Sequence, residues 1–178
     1  CGRSRPARVV QVTRHGVRCE ACGTVETLPQ PRPAITLFQC VAKGARMDWL
    51  VEKAAELAAA TLVPVLSRRS VVRLPVGERV ERWERIADSA LEQSRGAWRM
   101  RVEPVHDWAA AVERVRAVRP TLVGALTDDA RPLREALLPS VAEPPVEAGW
   151  FVGPEGDFDA AELRSLLDAG ALPVSLGA

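Results

Sequence analysis

Two periodicities divide the chain. Over residues 7–20 apolar and polar positions alternate with period two. That is the pattern of a half-exposed hairpin, with strands Ala7–Thr13 and Val17–Cys19 around a turn at His15-Gly16. Residues 23–34 are rich in Pro and Thr and read as a linker. Beyond them, short apolar runs alternate with helical stripes. Ile35–Val41, Leu62–Leu66, Val102–Val105, Thr121–Leu126, Gly149–Val152 and Pro173–Leu176 read as strands, and Pro64 argues for an edge position or a bulge in its strand. Arg46–Ala60 is a predicted helix with Met47, Leu50, Val51, Ala54, Leu57 and Ala58 on one face. Glu78–Ser94 is a second, with a stripe through Trp83, Ile86, Ala87 and Ala90. Asp107 caps a third, and Pro132 opens a short one. Asp159-Ala-Ala-Glu162 is a capping box that starts the last helix, and Gly170 ends it. Strands alternating with helices predict an α/β fold with a mostly parallel sheet covered on both faces.

One stretch departs from this rhythm. The run Trp150-Phe-Val-Gly-Pro-Glu-Gly-Asp-Phe158 is an apolar strand that stops at Gly153-Pro154-Glu155-Gly156 before a helix. Two glycines permit a tight turn and close approach of a ligand, Pro154 stiffens the loop, and Glu155 places one carboxylate in it. The ends of strands in open α/β sheets are where ligands bind.

Composition narrows the class. The chain has 178 residues and 47% apolar content, enough for one domain with a core and a small appendage. There is no run of 18 apolar residues and no signal peptide, so the expected location is cytoplasmic, away from membranes. The chain starts at Cys1 without Met and stops at Ala178 directly after a strand-like run. Both ends read as cut from something longer. Net charge is only +1, yet basic residues cluster at Arg3–Arg18, Arg68–Arg73 and Arg95–Arg101. Such patches suit contact with a phosphate backbone. The single Cys-x-x-Cys pair, Cys19 and Cys22, lacks the second pair or spaced histidines of a zinc site. No metal is expected, and the thiols read as small buried groups.

Five blocks then occur in order: Lys43-Gly-Ala-Arg-Met-Asp-Trp-Leu-Val-Glu-Lys-Ala-Ala-Glu-Leu57, Val63-Pro-Val-Leu-Ser-Arg-Arg-Ser-Val-Val-Arg73, Trp83-Glu-Arg-Ile-Ala87 with Leu91-Glu-Gln-Ser94, Gly153–Gly156, and Val174-Ser-Leu-Gly177. Together they resemble the RsmE family of SPOUT-class methyltransferases, which methylate N3 of a uridine in small-subunit (16S) ribosomal RNA. The resemblance is strong over residues 35–178. It implies a SPOUT methyltransferase domain over residues 34–178 with a C-terminal trefoil knot, and a partial PUA-like β-barrel domain over residues 1–33. Knots are rare exceptions to unthreaded chains. It also implies S-adenosylmethionine as cofactor, a homodimer, and the small subunit or its RNA as partner. Three strand-end loops would surround the cofactor: Leu126 and Thr127; Gly153, Pro154, Glu155 and Gly156; Ser175, Leu176 and Gly177. Thr127-Asp128-Asp129 departs from the family's usual first loop, and Asp157 stands where glycine is common. The family continues beyond this point with an arginine-containing segment that completes the pocket.

The chemistry asks for particular groups. Uridine N3 carries a proton that must be removed, or the anion on the flanking carbonyls must be stabilised. Glu155 is the candidate catalytic residue, as base or orienter, against a simpler role bracing its loop. The target base must leave its stack. RNA-contact candidates are Lys43, Arg46, Arg68, Arg69, Arg73, Arg95, Arg99 and Arg101, with Trp98 as a stacking platform. Two alternatives stand beside the enzyme. One is a SPOUT-like RNA-binding protein without catalysis; the other is a zinc-bearing β-module joined to a nucleotide-binding domain.

Overall fold

The computed structural model describes residues 2–70, 76–125, 127–137 and 145–176. The N-terminal segment holds β1 (Arg3–Ser4), β2 (Ala7–Thr13), β3 (Gly16–Ala21) and β4 (Glu26–Thr27). Next come β5 (Ala34–Cys40), α1 (Ala45–Glu56), β6 (Thr61–Val65), α2 (Val76–Gln93), β7 (Arg101–Val102) and α3 (Trp108–Ala117). The chain continues through β8 (Thr121–Gly124), β9 (Arg131–Pro132), α4 (Leu133–Leu137), β10 (Glu147–Val152), α5 (Ala160–Asp168) and β11 (Leu172–Ser175).

The expected parallel sheet is present. Seven strands lie in the order β7-β6-β5-β10-β8-β11-β9, and every described pairing is parallel. Successive strand residues face opposite sides, so the sheet divides its apolar residues between two cores. Phe38, Val63, Val123 and Phe151 pack with Ala111 and Val115 of α3 and Leu166 of α5. Leu62 and Val102 pack with Met47 and Val51 of α1 and with Trp83 and Ala87 of α2. Gly149 lets β10 pass close to β8, since a Cβ there would lie 2.2 Å from Thr121 Oγ1. Among the described residues no helix is long and apolar enough to cross a membrane.

Five expectations are corrected. Helix α1 stops at Glu56 rather than Ala60, because Ala58 takes φ 60° and Ala59 N–H bonds back to Ala54 O at 2.9 Å. That six-to-one bond closes a helix end without glycine, and Leu57 is left 84% exposed rather than on the apolar face. The hairpin β2–β3 is exposed along its whole length rather than on one face. Pro64 lies on an interior strand. Its carbonyl accepts from His106 N–H, which puts its missing N–H on the β7 side, where the ladder breaks at Glu103-Pro104-Val105. That break also shortens the expected Val102–Val105 strand to Arg101–Val102. Among the described thiols only Cys40 is buried, whereas Cys19 is exposed.

Candidate functional site

Strands β10, β8 and β11 are adjacent and parallel, so their C-terminal ends share one edge of the sheet. Three backbone stretches leave that edge: Gly124-Ala125, Gly153-Pro154-Glu155 and Ser175-Leu176. They surround a cleft of about 470 Å3, floored by Phe151 and Val174. This volume is in the range of small-molecule sites. The lining is mainly apolar, with Glu155, Asp157 and Ser175 as its polar side chains. Two residues past Ala125, the half-buried Thr127 has a buried hydroxyl oxygen with no partner among the described residues.

The middle loop is held from outside by side chains distant in sequence. Arg46 of α1 pairs with the carboxylate of Glu155. Arg69 donates to the carbonyl of Gly156. Arg68 pairs with Asp159 at 3.3 Å, and its backbone N–H donates to Glu162 Oε1 at 2.8 Å. Glu162 is almost fully buried and closes the capping box: its Oε2 accepts from Asp159 N–H at 3.1 Å, and Asp159 Oδ1 accepts from Glu162 N–H at 2.7 Å. This backbone bond from Glu162, aided by Arg68, holds the Asp159 carboxyl below its usual range. A depressed pKa is a stability statement. The contribution is complete above the ordinary aspartate pKa and is lost as pH falls through the lower folded value.

Cys40, at the end of β5, has its thiol pushed up to about 12, mainly by burial. At neutral pH it is therefore a thiol, not a nucleophilic thiolate.

The structure sorts the sequence candidates. Gly153, Pro154, Glu155, Ser175 and Leu176 all line the cleft, whereas Thr127 is not among its lining residues. Gly156 faces the far side of the same wall, with Lys43 and Arg69. Leu126, Gly177 and Arg73 lie outside the described residues. Trp98 is not a free stacking platform. Its indole N–H donates to the carbonyls of Leu28 and Pro29, and its ring covers Gly2, so it clamps the N-terminal segment. Arg99 pairs with Asp88 and Arg101 with Glu103, so neither offers an uncommitted guanidinium. Arg95 takes φ 55° at the end of α2, where Gly96 N–H bonds back to Leu91 O. Among the described residues no group of three or more His, Cys, Asp or Glu could hold a metal ion.

Two features of the loop escape sequence reasoning. Gly153 is required by Phe158, whose ring would lie 2.9 Å from a Cβ at that position. The left-handed residue of the loop is not a glycine but Asp157, with φ 63° and its carboxylate accepting from Phe158 N–H at 2.8 Å. Asp157 lies two residues before the N-cap of the following helix, Asp159. Aspartate tolerates this conformation better than most residues. Asp157→Val should therefore cost about 1–2 kcal/mol, whereas Asp157→Gly should change stability by less than about 1 kcal/mol. Chemical denaturation of the two variants checks this, and equal losses would contradict it.

Comparison with known proteins places the chain in a family. A family model described as an RNA methyltransferase domain matches residues 29–178. The ribosomal RNA small subunit methyltransferase E of Mycobacterium bovis is 31% identical over 182 residues, covering 99% of this chain and 68% of the relative. The protein of the same name from Synechocystis is 29% identical over 150 residues, covering 84% of this chain and 48% of the relative. The chain thus spans about half the length of some curated relatives that it matches. A ribosomal RNA small subunit methyltransferase E from Neisseria gonorrhoeae, solved bound to S-adenosyl methionine, superposes with a TM-score of 0.85 at 28% identity, covering 99% of this chain and 72% of that one. The chain belongs to the RNA methyltransferase domain family, alongside the proteins named ribosomal RNA small subunit methyltransferase E.

Proposed function

We propose that the protein transfers a methyl group from S-adenosylmethionine to N3 of a uridine in small-subunit (16S) ribosomal RNA. The observation that carries this reading is the cleft at the ends of β10, β8 and β11, in a fold that superposes on a relative solved with S-adenosyl methionine. The residues present fit that cofactor. The apolar lining suits an adenine, exposed loop backbone suits its polar edges and ribose, and the orphan Thr127 hydroxyl needs a partner. Gly124-Ala125, Thr127, Gly153–Glu155 and Ser175-Leu176 are the residues we assign to hold it. Bound there, the cofactor supplies an electrophilic methyl group on a sulfonium.

The chain's own residues shape the reaction around that group. Phe151 and Phe158 keep the base of the loop dry and fixed. Arg46 holds Glu155, which we read as orienting the wall between cofactor and substrate rather than as the base. Both side chains are well exposed, at 71% and 57%, so the pair adds little stability. Glu155→Ala should lower turnover roughly tenfold, as a misplaced wall does, rather than by the roughly 100-fold or more expected for a lost general base. Arg46→Ala should match it, and the double variant should be no worse than either single one. Steady-state kinetics of the three variants test this; full additivity would remove the pairing from the mechanism.

Lys43 and the exposed Arg95, with Arg68 and Arg69 beside the wall, are our candidates for contact with the RNA backbone. We further infer a partial PUA-like domain over residues 1–33, a SPOUT domain over 34–178, a trefoil knot, a homodimer and a cytoplasmic location. Insertion of β10 and β11 between earlier strands supports the knot. Calorimetry with S-adenosylmethionine on the full-length protein tests the reading: saturable binding is expected. Absence of binding, together with salt-dependent RNA affinity, would favour an RNA-binding protein without catalysis.

A further inference from the structure

The Gly153–Gly156 loop has a second side. Behind it, at the C-terminal ends of β5 and β6, lies another cleft of about 270 Å3, bordered by Gln39, Lys43, Arg69 and Ser70. The volume falls just below the roughly 300 Å3 at which drug-sized sites begin, which suits part of one nucleotide.

Gln39 is the unusual residue of this cleft. It sits on a central strand, paired with Val152 of β10 and Pro64 of β6, and is only 4% exposed. Its Nε2 donates to the carbonyl of Cys40 at 2.8 Å, which fixes which way the amide points. Its Oε1 is buried and has no partner among the described residues. Buried acceptors are rarely left unmet, and the residue that carries this one borders a cleft.

The chemistry of the substrate limits what that donor can be; this step rests on the methyl-transfer reading above. Within an RNA strand a uridine carries two hydrogen-bond donors, N3–H and the ribose 2′-hydroxyl. N3 is the reacting atom, so it must face the first cleft, across the wall. The 2′-hydroxyl remains for Gln39. Lys43, exposed at the border of the same cleft, supplies a cation for the adjoining phosphate. We propose that the second cleft takes the ribose of the target nucleotide, with Gln39 Oε1 accepting its 2′-hydroxyl, and that Gln39 thereby selects RNA over DNA.

The test uses the full-length protein and two fragments of small-subunit RNA. One carries the uridine that the enzyme methylates; the other carries 2′-deoxyuridine at that single position. Wild type should prefer the ribose fragment by about tenfold in affinity, the size of one buried hydrogen bond. Gln39→Leu should bring that preference to within about twofold, the amide no longer being there to discriminate, and leave affinity for S-adenosylmethionine unchanged. Gln39→Glu keeps an acceptor and should retain the preference, and it carries the test if the leucine variant does not fold. A preference that survives in Gln39→Leu, or equal binding of both fragments by wild type, overturns the assignment. Weakened cofactor binding in Gln39→Leu with the preference intact would instead give the oxygen to the cofactor's ammonium group. Methylated uridine without a ribose preference sinks this assignment alone. No methylated uridine at all sinks the reading beneath it.

Discussion

Gly153→Val is expected to raise the dissociation constant for S-adenosylmethionine at least about 100-fold, because it displaces a whole wall of the cleft rather than one contact. A Cβ at this position would already lie 2.9 Å from two atoms of the Phe158 ring, and valine adds two further methyl groups. Phe158 cannot retreat freely. It is 9% exposed and packs against Phe151 at 5.8 Å and Trp108 at 6.1 Å between ring centroids. Overpacking of this kind costs about 1–3 kcal/mol, so the variant should fold with reduced stability while its loop shifts. Calorimetry and chemical denaturation separate the two effects. A folded variant with unchanged cofactor affinity would count against the assigned cleft.

Phe151→Ala should remove about 3–5 kcal/mol of stability, the range for large aromatic truncations in a core. Phe151 is fully buried on β10, stacked on Phe38 with centroids 5.5 Å apart and planes 3° apart. It also meets Trp108 at 5.6 Å, whose indole N–H is satisfied by Ser165 Oγ at 2.9 Å. This cluster ties the central strands to α3 and α5, two residues before the Gly-Pro-Glu-Gly loop. Loss of the ring should therefore abolish cofactor binding as well as weaken the fold. Equilibrium unfolding in urea measures the first effect, and a loss below about 1.5 kcal/mol would mean that the site collapses around the gap.

Features that depend on neighbours in sequence were legible from the start. Asp107 and Asp159 cap their helices as their positions predict, with Asp107 accepting from Ala110 N–H at 2.8 Å. The alternation of apolar runs and helical stripes predicts the parallel sheet, and the Gly-Pro-Glu-Gly loop stands at a strand end beside a cleft. Features that depend on distant residues were not legible. Arg46 and Glu155 meet across 109 positions, and Arg68 reaches Glu162 across 94. The basic patch therefore looked free when much of it braces the loop. Trp98 looked like a stacking platform because its partners, Gly2 and the carbonyls of Leu28 and Pro29, carry no side-chain signal. Gln39 was hidden in an apolar strand, where only the packed structure reveals an acceptor without a donor. Asp157 could be seen to replace a common glycine, but only the backbone shows that it takes the left-handed conformation.

The central claim is methyl transfer to uridine N3, and its most direct test is a mass-spectrometric nucleoside profile of small-subunit ribosomal RNA from cells with and without the full-length protein. One 3-methyluridine should be present with the protein, absent without it, and restored by wild type but not by Gly153→Val. An unchanged level of 3-methyluridine in the two samples would contradict the account.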